Sequence, residues 1–307
     1  MDVASRENDT TEATLVTVLI LAMLIWGTSW VSGKIISDMA PAKVTTFYRL
    51  AIATISMLPI LFIMHLFKWV QLRITPRAVM WSLPAGLLLA AYNQLFFLGL
   101  NDGLPGKGGM LVTTLNPLFT CLLTVIVFKQ KLSKLQIAGL TLGLIGGLMM
   151  IEIWYFDLDQ LMVSGNLYFI LAALTWAILT LVSQVGGRYA DFLLFSTLMY
   201  GSASMISYGL AFEYAPLTSI TSYPIEYWQH MLFLSTVVVS IATSVFFLAT
   251  QKLGSSRSSS FVLIVPVSAM GLSAWYFGES LSLIVGSGGV LALSAVYLLN
   301  YKTQKIK

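Results

Sequence analysis

About ten apolar blocks, each close to twenty residues long, follow one another along this chain with short polar connections between them. A helix rises 1.5 Å per residue, so roughly 20 apolar residues cover the roughly 30 Å hydrocarbon layer of a membrane. The blocks fall at about 14–36, 42–66, 77–98, 107–128, 134–153, 165–185, 191–212, 230–250, 257–277 and 282–301. No connection is long enough to hold a soluble domain. Charged residues make up 10% of the chain and hydrophobic ones 57%, against about 25% charged in soluble domains. No globular core of this length could hide so much apolar surface. The expected fold is an all-α membrane protein solvated mostly by lipid.

The polar residues then set the orientation. The leader, residues 1–13, carries Asp2, Glu7, Asp9 and Glu12 against Arg6, the reverse of a secretory signal peptide, so the first block reads as a retained helix. Counting from a cytoplasmic N-terminus, the inside connections hold Arg6, Lys68, Arg73, Arg77, Lys129, Lys131, Lys134, Arg188, Lys252, Arg257, Lys302, Lys305 and Lys307. The outside connections hold Asp38, Asp102, Glu152, Asp157, Asp159, Glu213, Glu226 and Glu279. Orientation follows the placement of Lys and Arg, which puts both termini in the cytoplasm.

The chain also matches itself. Offset by about 150 positions, Trp26 meets Trp176; at one position less, Pro117 meets Pro266, Phe128 meets Phe277 and Gly139 meets Gly288. Each copy holds five blocks, an odd number, so the second must lie inverted in the membrane. The expected organisation is a first repeat over 14–153 and a second over 164–301. Inverted repeats recur in carriers, with the substrate site between the copies near the midplane. Two near-equivalent halves can exchange conformations at similar energy.

Several of these residues resemble a known family. Leu24-Ile25-Trp26-Gly27-Thr28-Ser29-Trp30 with Lys34, then Pro41 with Phe47-Tyr48-Arg49, are similar to the first two spans of EamA-type proteins in the drug/metabolite transporter superfamily. Asn116-Pro117-Leu118-Phe119 closing on Phe128-Lys129-Gln130-Lys131-Leu132, and Val265-Pro266 closing on Phe277-Gly278-Glu279-Ser280-Leu281, resemble the fourth span and its repeat. Lys129-Gln130 departs from the usual Gly-Glu, leaving Glu279 alone to carry any role of that glutamate. The resemblance implies ten helices around a central cavity lined by the first, third and fourth helix of each repeat. It also implies export of amino acids or related small metabolites from a bacterial inner membrane, with import or exchange of nucleotide-like compounds as the alternative.

Individual residues carry expectations of their own. Arg49 lies inside the second span, where an ionisable side chain must face water, pair or snorkel. It is either a cavity cation for an anionic group or a structural residue at the rim. In the third span Tyr92, Asn93 and Gln94 interrupt an apolar run, and buried amides either face a wet cavity or bond another helix. Asn116 in the fourth span and Thr243 and Ser244 in the eighth are further cavity candidates. Trp26 and Trp176 sit at mid-span, away from the interfacial belts where Trp is usual. They either line the cavity or pack on glycines. Pro117 and Pro266 each remove a helical hydrogen bond and suit hinges or static kinks. Lys34 and Glu279 are candidates for gating, or for snorkelling and bracing. Glycines at 139, 143, 146, 147, 286, 288 and 289 read as packing surfaces within a protomer or between two.

Other classes have less support. Cys121 is the lone cysteine, which excludes an intrachain disulfide or a cysteine metal site. Gly103-Leu104-Pro105-Gly106-Lys107-Gly108 lacks the spacing and the Ser/Thr of a phosphate loop. No nucleophile, acid/base pair or metal constellation appears at useful spacing, so an enzyme is not expected. The expected partners are a small-molecule substrate and the bilayer, with a homodimer as an option and neither nucleic acid nor cofactor. A channel or a non-transporting scaffold is the alternative of another class.

Overall fold

A computed structural model describes residues 3–129, 132–150, 152–155, 165–278 and 282–300. Glu279 lies outside the described residues, as do Asp2, Lys131, Asp157, Asp159 and the C-terminal lysines. The described residues form helices and turns without a strand. In chain order the long helices are α1 (Val3–Ser37), α2 (Ala42–Leu66), α3 (Pro76–Asp102), α4 (Pro105–Phe128) and α5 (Lys134–Met150). They continue with α6 (Asn166–Gly186), α7 (Phe192–Ala211), α8 (Ile225–Leu253), α9 (Ser255–Tyr276) and α10 (Leu283–Asn300).

Among the described residues, eight of these are long and apolar enough to cross a membrane. The two that fall short are α5, of which 17 residues are described, and α7, whose serines, glycines and tyrosines dilute its apolar content. The outer surface is apolar: Ile55, Phe62, Leu122, Ile126 and Val290 are all exposed. An apolar exterior over spans of this length identifies an integral membrane protein.

Local chemistry explains the breaks. Thr75 caps α3 by accepting from Ala78 N at 3.1 Å, with Pro76 at the first helical position, where its missing N–H costs nothing. Asp191 caps α7 by accepting from Leu193 N at 3.2 Å. Helix α1 is already helical before residue 14, and no glycine or proline interrupts the chain before Gly27. In α8, residues Phe233–Thr243 run as a π-helix. There Ser240 and Thr243 donate their hydroxyls to carbonyls five residues back, at 3.0 Å each. In α9 a 3₁₀ turn, Phe261–Ile264, precedes Pro266, whereas α4 continues as α-helix through Pro117.

Packing uses small residues. A side chain at Gly146 would meet Gly288 O at 2.7 Å, and one at Gly288 would meet Gly146 O at 2.6 Å, so α5 and α10 touch backbone to backbone. Gly27 does the same for α1 on α9, and Gly86 for α3 on α7. Helix α3 packs along α6, and α8 along α1. Helix α4 packs along α6, and α9 along α1; α2 packs on α8, and α7 on α3. Three pairs, α2 with α7, α4 with α9 and α5 with α10, are their own counterparts. The pattern is unchanged when each helix is exchanged with the one five places along.

Candidate functional site

The aromatic residues meet at the centre of this bundle. Trp26 of α1 and Trp176 of α6 are edge to face, with centroids 5.0 Å apart and planes at 87°. Tyr92 of α3 lies 4.5 Å from Trp176, and Phe246 of α8 lies 5.1 Å from Trp26. Beside them is a cavity lined by α1, α2, α3, α4, α6, α8 and α9. Its volume is about 40 Å³, room for roughly three waters at about 10–15 Å³ each. A metabolite needs side chains to move apart before it fits.

The lining joins residues far apart in the sequence. Trp26, Arg49, Tyr92, Asn93, Asn116, Trp176 and Thr243 all face the cavity. Gln94 and Ser244 do not. Each follows a lining residue directly, and adjacent helical residues point about 100° apart. Ser244 instead meets the Tyr200 hydroxyl at 3.0 Å within the α2–α7–α8 contact. Sequence reasoning missed Ser29, Trp30, Leu89, Val112, Thr113, Val238, Val239, Val262 and Val265. The internal offset would have found several of them: Leu89 maps to Val239, Asn93 to Thr243, Thr113 to Val262 and Asn116 to Val265.

Polar atoms in the lining fall into two groups. Some are satisfied locally: Ser29 donates to Trp26 O at 2.6 Å, Thr113 to Gly109 O at 2.6 Å, and Trp26 Nε1 to Thr243 Oγ1 at 3.2 Å. Others are not. Arg49 is 4% exposed, and its Nε and Nη1 have no partner. Its guanidinium lies over the rings of Phe96 and Phe97 at 5.1 and 5.5 Å. No carboxylate among the described residues pairs with it. Asn93 Oδ1, both side-chain atoms of Asn116 and Trp176 Nε1 are likewise buried without partners. A buried polar atom left unbonded costs about 1–3 kcal/mol, and a charged one more.

The two ends of the cavity differ. Toward the end where α1 finishes, Trp30 packs on Phe96 at 4.9 Å and on Phe169 at 5.7 Å. Toward the opposite end lie hydroxyl contacts: Thr124 meets Ser255 at 3.0 Å, and Thr250 meets Ser258 at 2.9 Å. Gln184 Oε1 accepts from Ser255 N at 3.2 Å.

Lys34 lies away from the cavity. Its Nζ donates to Leu100 O at 2.7 Å and pairs with Asp38 at 3.3 Å, tying α1 to the end of α3. Lys34→Met is therefore expected to lower stability by about 1–2 kcal/mol while flux per folded molecule stays unchanged. Thermal denaturation and transport assays on matched amounts of protein check this.

Comparison with known proteins gives the context. The EamA-like transporter family matches residues 14–151 and again 163–301. A Bacillus subtilis protein named as an uncharacterized transporter, YoaV, is 24% identical over 91% of this chain and 94% of its own length. A Salmonella typhimurium protein named as a probable amino-acid metabolite efflux pump is 25% identical over 69% of this chain and 73% of its own. A crystal structure superposes with a TM-score of 0.68 at 18% identity, covering 95% of this chain and 98% of the other. At that identity the likeness speaks to fold alone.

Proposed function

The chain belongs to the EamA-like transporter family, and from this premise we propose that it is a secondary transporter exporting amino acids or related small metabolites. The carrier works by alternating access through the central cavity. Its architecture is ten membrane-crossing helices in two inverted repeats, 14–153 and 164–301, with α5 and α7 completing the set. The exchange-invariant helix pairing supports that arrangement, as does the family's double match. Both termini face the cytoplasm of a bacterial inner membrane, a reading supported by the excess of Lys and Arg in the connections on that side.

The observation that carries the transport reading is the central cavity between the halves, closed by aromatic rings at one end and by hydroxyl contacts at the other. One contact of each set joins helices of different repeats, Trp30 with Phe169 at one end and Thr124 with Ser255 at the other, so either end can open while the other holds. The efflux pump named among the relatives supports amino-acid-like cargo.

Direction is tested in cells. Overexpression is expected to raise tolerance to toxic amino-acid analogues several-fold, and deletion to lower it. Sensitisation on overexpression overturns the exporter reading.

A further inference from the structure

Internal repetition makes the cavity's chemistry comparable position by position, and the comparison is lopsided. Under the offset of about 150 residues, Trp26 and Thr243 correspond to Trp176 and Asn93. The first indole is satisfied, since Trp26 Nε1 donates to Thr243 Oγ1 at 3.2 Å. The second arrangement is open. Asn93 turns its Nδ2 to Leu89 O at 2.8 Å, leaving its Oδ1 and Trp176 Nε1 both unpartnered. Likewise Asn116, with both polar side-chain atoms free, corresponds to Val265. Arg49 corresponds to the neutral region around Met199.

The open polar atoms of the lining therefore come from α2, α3, α4 and α6, while α8 and α9 present Val238, Val239, Val262 and Val265. On the polar side Arg49 Nε and Nη1, Trp176 Nε1 and Asn116 Nδ2 are donors, and Asn93 Oδ1 and Asn116 Oδ1 are acceptors. One fixed positive charge with several donors is the complement of one oxyanion group, and guanidinium binds a carboxylate through two parallel bonds. A single carboxylate pairs with Arg49 where an unpaired buried charge is costly. The acceptors suit an ammonium, amide or hydroxyl next to that anion. The valines suit an apolar tail.

Building on the carrier reading above, we infer that the cavity takes its substrate in one orientation. The carboxylate sits against Arg49, Trp176 and Asn116, and an apolar tail lies on the valine wall. The substrate class is small monocarboxylates with an apolar tail, zwitterionic or anionic, and organic cations are excluded. Arg49 and Trp176 Nε1 are the specificity-determining groups, and the pseudo-symmetric fold holds an unsymmetrical site.

The test uses four probes of one carbon skeleton on the purified full-length protein in nanodiscs, read by calorimetry: L-leucine, 4-methylvalerate, L-leucinamide and 3-methylbutylamine. Both carboxylates are expected to bind at least about tenfold tighter than the two amines. Arg49→Gln is expected to erase that preference. Trp176→Phe, which keeps the ring and removes the N–H, is expected to cut the carboxylate-to-amine ratio about fivefold. Equal binding of carboxylates and amines, a preference surviving in Arg49→Gln, or no binding by either carboxylate overturns the inference. Binding and flux of 4-methylvalerate without leucine would uphold it while removing amino acids as cargo. Saturable flux of the amines would do the reverse, upholding a carrier and sinking the polar assignment.

Discussion

Arg49→Met is expected to give a protein at least as stable as the parent and on the order of 100-fold less active. The two halves of that expectation have different causes. An ionisable side chain near the centre of a membrane helix costs at least about 2.5 kcal/mol, and the Nε and Nη1 of Arg49 recover none of it through hydrogen bonds. What the arginine does gain is its placement over Phe96 and Phe97, an interaction of about 0.5–2 kcal/mol. Methionine keeps most of the volume, packs on the same rings and removes the charge, so the balance favours the variant. Activity falls because truncating one partner of a buried charge pair costs about 2–5 kcal/mol in the bound state. Thermal unfolding and initial transport rates, measured on the same preparation, separate the two. A variant that is both less stable and proportionately less active would make Arg49 a structural residue.

The second large effect is steric. Gly27→Ala is expected to lower the melting temperature by on the order of 5–10 °C. A β-carbon there would overlap the Ser268 hydroxyl and sit 2.7 Å from Ala269 N and 2.8 Å from Ser268 Cβ. The hydroxyl can rotate away, but the Ala269 backbone can move only with α9. Because α1 and α9 both line the cavity, separating them also displaces Trp26 and Val265 from their positions in its wall. Ser268→Gly in the same chain removes two of the three close atoms, so the double variant should recover part of the loss. Its stability relative to each single variant checks the contact directly, since neighbouring sites couple where distant ones add. Ala177, at the corresponding position of the second repeat, already carries the methyl group and is fully buried.

Much of this was legible in the sequence, for identifiable reasons. Helix positions follow from block length, and the offset linking Trp26 with Trp176 marks the two residues that meet at the centre. Other features depend on contacts that no local pattern encodes. Asn93 and Gln94 are adjacent amides of similar chemistry, and only the rotation of α3 in the bundle decides that Asn93 faces the cavity. Thr243 and Ser244 present the same ambiguity, compounded by the π-helical stretch Phe233–Thr243, which shifts register relative to an α-helix. The alternative roles of Arg49 could not be separated while its neighbours were unknown. The structure sets two phenylalanine rings beside its guanidinium and shows no carboxylate paired with it among the described residues. Lys34 is a similar case: a charge near a helix end fits a gate or a brace, and the structure joins its Nζ to the carbonyl of Leu100. The cavity valines carried no signal of their own, being indistinguishable from lipid-facing residues, although the offset ties Val262 and Val265 to Thr113 and Asn116.

Solute counterflow in proteoliposomes tests the central claim most directly. Vesicles holding purified protein are loaded with unlabelled leucine or 4-methylvalerate and diluted into a trace of the labelled compound. A carrier with one alternately exposed site should show transient label accumulation above equilibrium, saturating with internal substrate and absent in Arg49→Met. Label entry that rises linearly with concentration, shows no overshoot and is unaffected by Arg49→Met would mean a passive pore, and would contradict alternating access through this cavity.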